Sequence, residues 1–116
     1  MKTNELRVGN WLERLDGSAF QVDELDFQRL LSIDENLHPK AILITKDWIE
    51  KFGFEWSIQH QAYYLQGLGY VLYDCGDYWG VIKHRRNGEF LISVTNVHTL
   101  QNLYFILTGE ELEIKE

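Results

Sequence analysis

The sequence predicts an α+β fold: an SH3-like N-terminal β-hairpin region, a short helix, a four-stranded antiparallel meander, and a C-terminal helix packed on the sheet. Three observations carry this expectation. Residues 97–108 place Val97, Leu100, Leu103, Tyr104 and Leu107 on one stripe at the helical period. Residues 56–95 read as strands joined by short turns. Asp16-Gly17 and Asn87-Gly88 are strong two-residue hairpin signals. At 116 residues and 45 % hydrophobic, the chain is long enough to bury a real core, so a single domain over 1–116 is expected.

The N-terminal part, 5–44, reads as β-rich. Residues 6–15 are extended, with a bend at Gly9-Asn10 before Trp11. After the Asp16-Gly17 turn, residues 19–23 alternate apolar and polar as a half-buried strand does. Residues 27–33 fit either a short helix or an irregular strand. Strand is chosen because two hairpin-like strands precede it, which is how small SH3-like barrels begin. Residues 34–40, with the sole proline Pro39, form a loop, and 41–44 are a short apolar run read as a buried strand.

The span 45–53 carries the short helix. Thr45 caps it, Asp47 sits in the first turn where the helix dipole favours negative charge, and Gly53 ends it. Asp47 and Lys51 stand four apart in the favourable order, worth about 0.3 kcal/mol. Trp48, Ile49 and Phe52 form its apolar side, and packing must hold so short a helix.

In the meander, Trp56, Ile58, His60, Ala62 and Tyr64 alternate with Ser57, Gln59, Gln61 and Tyr63, which reads as one continuous strand. Residues 70–73 are apolar on both sides and predict an inner strand. Residues 74–77 form a turn, and 78–84 and 89–95 are the last two strands, hinged at Asn87-Gly88. The helix at 97–108 follows, capped by Asn96 or Thr95 and closed by Gly109. It should lie across the apolar side of the meander. Residues 110–116 are a tail or a short edge strand.

Composition narrows the function classes. Eighteen acidic residues against 11 basic give a net charge of −7, which disfavours broad binding to a phosphate backbone. No run reaches the roughly 18 apolar residues of a membrane span. The first residues lack the apolar stretch of a signal peptide, so the expected location is cytoplasmic. A single cysteine, Cys75, fits a reducing compartment.

No motif announces catalysis. Cys75 lies in a turn with no familiar Cys–His signature around it, although a hydrolase or transferase could pair Cys75 or Asp77 with a histidine. His38, His60, His84 and His98 are too widely spaced for a recognisable metal site, and Asp74 and Asp77 suit ordinary turn chemistry. Gly67-Leu68-Gly69 has neither the third glycine nor the following helix of a phosphate cradle. No catalytic, cofactor-binding or metal residues are therefore assigned, and no cofactor is expected. Lys83, His84, Arg85 and Arg86 form one basic cluster at a hairpin tip, near Tyr78 and Trp79. That cluster could contact single-stranded nucleic acid or simply blunt a sheet edge with charge. The acidic balance makes nucleic acid the weaker reading.

The aromatic content is the anomaly. Four Trp, 6 Tyr and 6 Phe make 14 % of the chain, too many for one side of a single sheet. The second side is either a recognition surface or covered by the rest of the chain. On the C-terminal helix, His98, Gln101 and Asn102 form a polar side from which Phe105 projects. Ile106 is expected to be covered by the N-terminal hairpins, Phe105 by a partner, and His98 to lie at the surface. The candidate interaction surface is His98, Gln101, Asn102 and Phe105 on the helix, with Tyr73, Tyr78 and Trp79 on the sheet.

Three segments, Asn4-Glu5-Leu6-Arg7-Val8-Gly9-Asn10-Trp11, then Thr45-Lys46-Asp47-Trp48-Ile49-Glu50-Lys51-Phe52-Gly53-Phe54, then His98-Thr99-Leu100-Gln101-Asn102-Leu103-Tyr104-Phe105-Ile106-Leu107-Thr108-Gly109-Glu110-Glu111-Leu112, carry a resemblance. In order and spacing they resemble an uncharacterised family of small proteins of Bacteroides-type bacteria and their prophages. Leu43 departs from the pattern, which has proline there. The family carries no established activity, so the resemblance implies an accessory setting and no mechanism. The expected function is a non-enzymatic module for protein–protein association, with an unidentified protein or a second copy of the chain as partner.

Overall fold

The computed structural model describes residues 6–32, 39–59, 61–65, 70–83 and 90–115. It has the predicted mixture of helices and antiparallel sheets, in two compact units. The first comprises Met1–Leu43 with Asn96–Glu111, and the second Ile44–Thr95 with Leu112–Glu116.

The first unit is built on a three-stranded sheet in the order β2-β1-β3, from β1 (Trp11–Glu13), β2 (Ala19–Gln21) and β3 (Lys40–Ala41). The β1–β2 turn forms where Asp16-Gly17 predicts it. Gly17 takes the left-handed conformation (φ 92°), and the Arg14 N–H donates to the Ser18 carbonyl at 2.7 Å. That geometry is the turn-plus-glycine-bulge form of a hairpin. Leu6, Leu12 and Val22 pack as a small core with Phe20 against it.

Of residues 27–33, expected as strand, the structure corrects 27–32 to helix: α1 runs Glu24–Ser32, and Ile33 lies outside the described residues. Its start is a reciprocal cap. The Asp26 N–H donates to Asp23 Oδ1 at 2.7 Å, and the Asp23 N–H donates to Asp26 Oδ2 at 3.3 Å. Asp23-x-x-Asp26 is thus a shortened form of the capping box, a signal present in the sequence. The run at 41–44 also differs from a uniformly buried strand: Ile42 and Ile44 are buried, while Leu43 is 64 % exposed and forms an isolated bridge with Asn96.

α3 (Val97–Thr108) belongs to this first unit, with the N-terminal sheet. Asn96 occupies the N-cap position without a side-chain cap bond, and Gly109 (φ 77°) ends the helix as predicted. The buried side is displaced from the predicted stripe. Val97, His98, Leu100 and Gln101 are buried, whereas Leu103, Tyr104 and Leu107 are half-buried. At 100° per residue, Gln101 lies only about 40° around the helix from Val97, so the polar side adjoins the apolar stripe rather than opposing it.

The second unit opens with α2 (Lys46–Lys51), capped by the Thr45 hydroxyl accepting from the Trp48 N–H at 3.4 Å. Ile49, Phe52 and Phe54 are buried. Residues 112–115 return here: Leu112 is buried, and the Lys115 N–H donates to the Lys51 carbonyl at 2.6 Å. The Lys115 side chain crosses Gly53 so closely that a Cβ there would stand 2.6 Å from its Cγ, and Gly53 also has φ 93°. Glycine is required on both counts.

Among the described residues, the meander has five strands, not four: β4 (Glu55–Ser57), β5 (Ala62–Tyr64), β6 (Tyr70–Asp74), β7 (Trp79–Lys83) and β8 (Phe90–Val94), in that spatial order. The run read as one strand from Trp56 to Tyr64 folds back on itself, pairing Trp56 with Tyr63 and Ser57 with Ala62. Gln61 adopts φ 51° in the connection, a conformation no glycine or proline advertises. β6 is the central strand, as its two-sided apolar pattern predicts. Trp56, Tyr63, Leu72, Val81 and Ile92 form one cross-strand row. The row is buried in the middle and exposed at its ends, where Trp56 and Ile92 lie. The Asn87-Gly88 turn lies outside the described residues.

Tyr63 illustrates the chemistry of this core. Burial, and then the Glu50 carboxylate that its hydroxyl approaches at 3.5 Å, push its phenol above the ordinary 10.0. The raised value belongs to the folded state. Its contribution to stability is therefore complete below about pH 10 and declines as pH rises through the folded value. Titration followed by phenolate absorbance should show a tyrosine ionising later in native protein than in urea; coincident curves would contradict the burial.

Candidate interaction site

Among the described residues, a dense polar arrangement joins residues 7–11 to α3, entirely within the first unit. It begins with a turn. Gly9 adopts φ 97°, the Asn10 N–H donates to the Arg7 carbonyl at 3.1 Å, and the Arg7 N–H donates to Asn10 Oδ1 at 2.6 Å. The turn is tied to the end of β2 by the Gly9 N–H to the Val22 carbonyl (2.7 Å) and the Val22 N–H to the Asn10 carbonyl (2.8 Å).

Gln101 closes this turn from the helix. Its Oε1 accepts the Trp11 N–H at 2.8 Å, and its Nε2 donates to the Gly9 carbonyl at 3.0 Å. Asn102 Oδ1 accepts from both Asn10 Nδ2 and Arg7 Nε, each at 2.9 Å. The remaining guanidinium nitrogens reach Glu111, Nη1 to Oε1 at 2.7 Å and Nη2 to Oε2 at 3.3 Å, a forked pair. The same guanidinium lies over the Phe105 ring, 4.3 Å from its centre. Asn10 and Gln101 are essentially inaccessible, and their amides are satisfied inside the network. Buried amides so bonded fix one geometry because alternatives leave polar groups unpaired.

This arrangement changes the standing of the predicted surface. His98 and Gln101 are corrected from surface to interior, each 1 % exposed. Asn102 is half-buried and committed to Arg7 and Asn10. Phe105 remains exposed on one side, with Arg7 on the other. Ile106, expected to be covered, is 77 % exposed. On the sheet, Trp79 is corrected to core: it is buried, its indole N–H donates to the Ile44 carbonyl at 3.3 Å, and its ring centre lies 6.0 Å from that of Tyr63. Tyr73 is half-buried, and Tyr78 is exposed in the β6–β7 turn.

No family model, curated protein or solved structure matches the chain. Its site is therefore read from its own chemistry.

Asp74 and the main chain of Cys75 are engaged in turn geometry. Asp74 Oδ1 accepts the Gly76 N–H at 3.0 Å, the Cys75 N–H donates to the Tyr78 carbonyl at 3.0 Å, and Cys75 itself is exposed. Cys75 and Asp77 belong to the second unit, whereas His98, the one histidine among the described residues, belongs to the first. Among the described residues, no three His, Cys, Asp or Glu side chains gather as a metal site would require. No described helix is long and apolar enough to cross a membrane. His84, Arg85 and Arg86 of the basic cluster, and the side chain of Lys83, lie outside the described residues.

Sequence reasoning missed Arg7 and Asn10. Their signal was a cation beside a Gly-Asn bend in an acidic chain, which becomes meaningful only once α3 is placed against it. Their partners on and after α3 are Gln101, Asn102, Phe105 and Glu111.

Proposed function

We propose that the protein is a non-enzymatic association module that pairs with a second copy of itself through the C-terminal half of α3. The observation supporting this reading is the exposure of Ile106 (77 %) and Phe105 (39 %) on a helix whose other side is fixed by the Arg7–Asn10–Gln101–Asn102 network. Two apolar side chains held at a rigid position lose little conformational entropy on docking. Full burial of one such side chain contributes about 1.5–3 kcal/mol, and a two-fold contact counts each residue twice. The resemblance to small prophage proteins suits an accessory role of this kind. With a charge of −7 on each copy, association should strengthen as salt screens the repulsion.

Sedimentation velocity across a concentration series tests the reading. Wild type is expected to shift from monomer towards dimer. Ile106→Glu should remain monomeric with an unchanged melting midpoint, because the side chain leaves water in neither state of the monomer. Phe105→Ala should weaken association, losing no more than about 1 kcal/mol of folding stability through its exposed contact with Arg7. A wild-type chain that stays monomeric at every concentration and salt would sink the proposal.

A further inference from the structure

The β1–β2 turn holds a reactive sequence under restraint. Asp16-Gly17 is exposed, and glycine leaves the following main-chain nitrogen unshielded by any side chain. In its neutral form an aspartic acid can be attacked at Cγ by that nitrogen. A Cγ–N bond forms, the Cγ–OH bond breaks, and the hydroxyl leaves with the amide proton as water. The resulting succinimide then takes up one water. Opening at Cγ restores aspartate; opening at the former main-chain carbonyl cleaves its bond to the Gly17 nitrogen and leaves isoaspartate, with the chain running through Cβ and Cγ.

The attacking nitrogen and one oxygen of the carboxyl are engaged elsewhere in the turn. The Gly17 N–H donates to the Arg14 carbonyl at 2.9 Å. Asp16 Oδ1 accepts both the Ser18 N–H at 2.9 Å and the Ser18 hydroxyl at 2.7 Å, so the carboxyl is drawn towards Ser18. The Arg14 N–H donates to the Ser18 carbonyl at 2.7 Å and closes the ring of contacts. We infer that Asp16 is a latent isoaspartate site, kept from modification by the hydrogen bonds of Ser18 and Arg14. The same Ser18 bonds, led by the hydroxyl, hold the Asp16 carboxyl below its ordinary 3.8, which also disfavours the neutral reactive form. Modification would matter for the fold. An additional backbone carbon in the turn breaks the pairing of Glu13 with Ala19, and so disturbs β1, where Leu12 is fully buried.

The test is isoaspartate accumulation at Asp16, measured by peptide mapping after incubation at mildly acidic pH. Native wild type should accumulate it at least about tenfold more slowly than the same chain in concentrated urea, the factor expected for losing one hydrogen bond to a charged group. Equal rates in the two states would overturn the inference. Ser18→Ala, which removes the hydroxyl bond and keeps the main-chain one, should accelerate modification several-fold in the native protein. Hydrogen exchange of the Leu12 amide reports whether β1 is still formed. An unaccelerated Ser18→Ala with β1 intact would overturn the role given to Ser18. Should the variant fail to fold, the comparison of native with urea-unfolded wild type still decides the matter.

Discussion

Replacing Gln101 with methionine is expected to lower stability by about 3 kcal/mol, although the two side chains are nearly the same size. The volume is kept, so little of this loss comes from a cavity. It comes from the two bonds that the amide makes across the first unit, accepting from the Trp11 N–H and donating to the Gly9 carbonyl. The Gly9 carbonyl retains Gln21 Nε2 as a donor at 3.1 Å, so the larger part of the penalty falls at Trp11. Asn102→Ala is a useful companion. It removes the acceptor shared by Asn10 and Arg7, but at a half-buried position where water can replace part of what is lost. Chemical denaturation should rank Gln101→Met as the more damaging. A change within about 0.5 kcal/mol of wild type, the usual range for surface substitutions, would mean that Gln101 is the surface residue its polarity suggests.

Trp79→Ala should be costlier still, about 4 kcal/mol, because it removes a large buried ring from the middle of the second unit. Trp79→Phe separates packing from hydrogen bonding. It keeps an aromatic ring near Tyr63 but removes the indole N–H donated to the Ile44 carbonyl, for an expected loss of about 1–2 kcal/mol. Urea unfolding followed by circular dichroism would read both values. Full stability in Trp79→Ala, accompanied by altered self-association, would return Trp79 to the interaction surface. Tyr78, its exposed neighbour in sequence, should tolerate alanine far better.

The two substitutions concern residues whose chemical type is misleading. Gln101 is polar and buried; Trp79 belongs to a residue type common at interfaces and is core. In both cases the sequence position was right and the environment was not. Gln101 sits about 40° from Val97 on the helix, close enough for a modest rotation of the buried side to include it. Trp79 pairs with both Asp74 and Val94, two residues before Val81 of the cross-strand row, and its face is decided by register. A shift of one residue would have turned it outwards.

Local signals were reliable where a few neighbouring residues satisfy their own backbone. Thr45 and Gly53 bound α2, Gly109 ends α3, Asp16-Gly17 makes its hairpin, and the two-sided apolar run at 70–73 becomes the central strand. These elements, and with them the α+β class, were determined by the sequence alone. α1 was also written locally, in the Asp23–Asp26 cap, but its apolar pattern was compatible with both periods. The division of one alternating run into β4 and β5 was not, since Gln61 enters a left-handed conformation only because pairing of Trp56 with Tyr63 holds it there. The grouping of α3 with residues 7–11 likewise depends on bonds between groups more than 90 positions apart in the chain. Caps and turns are decided within about four residues by short-range geometry; burial and register are decided by long-range pairing, and only the tertiary structure contains it.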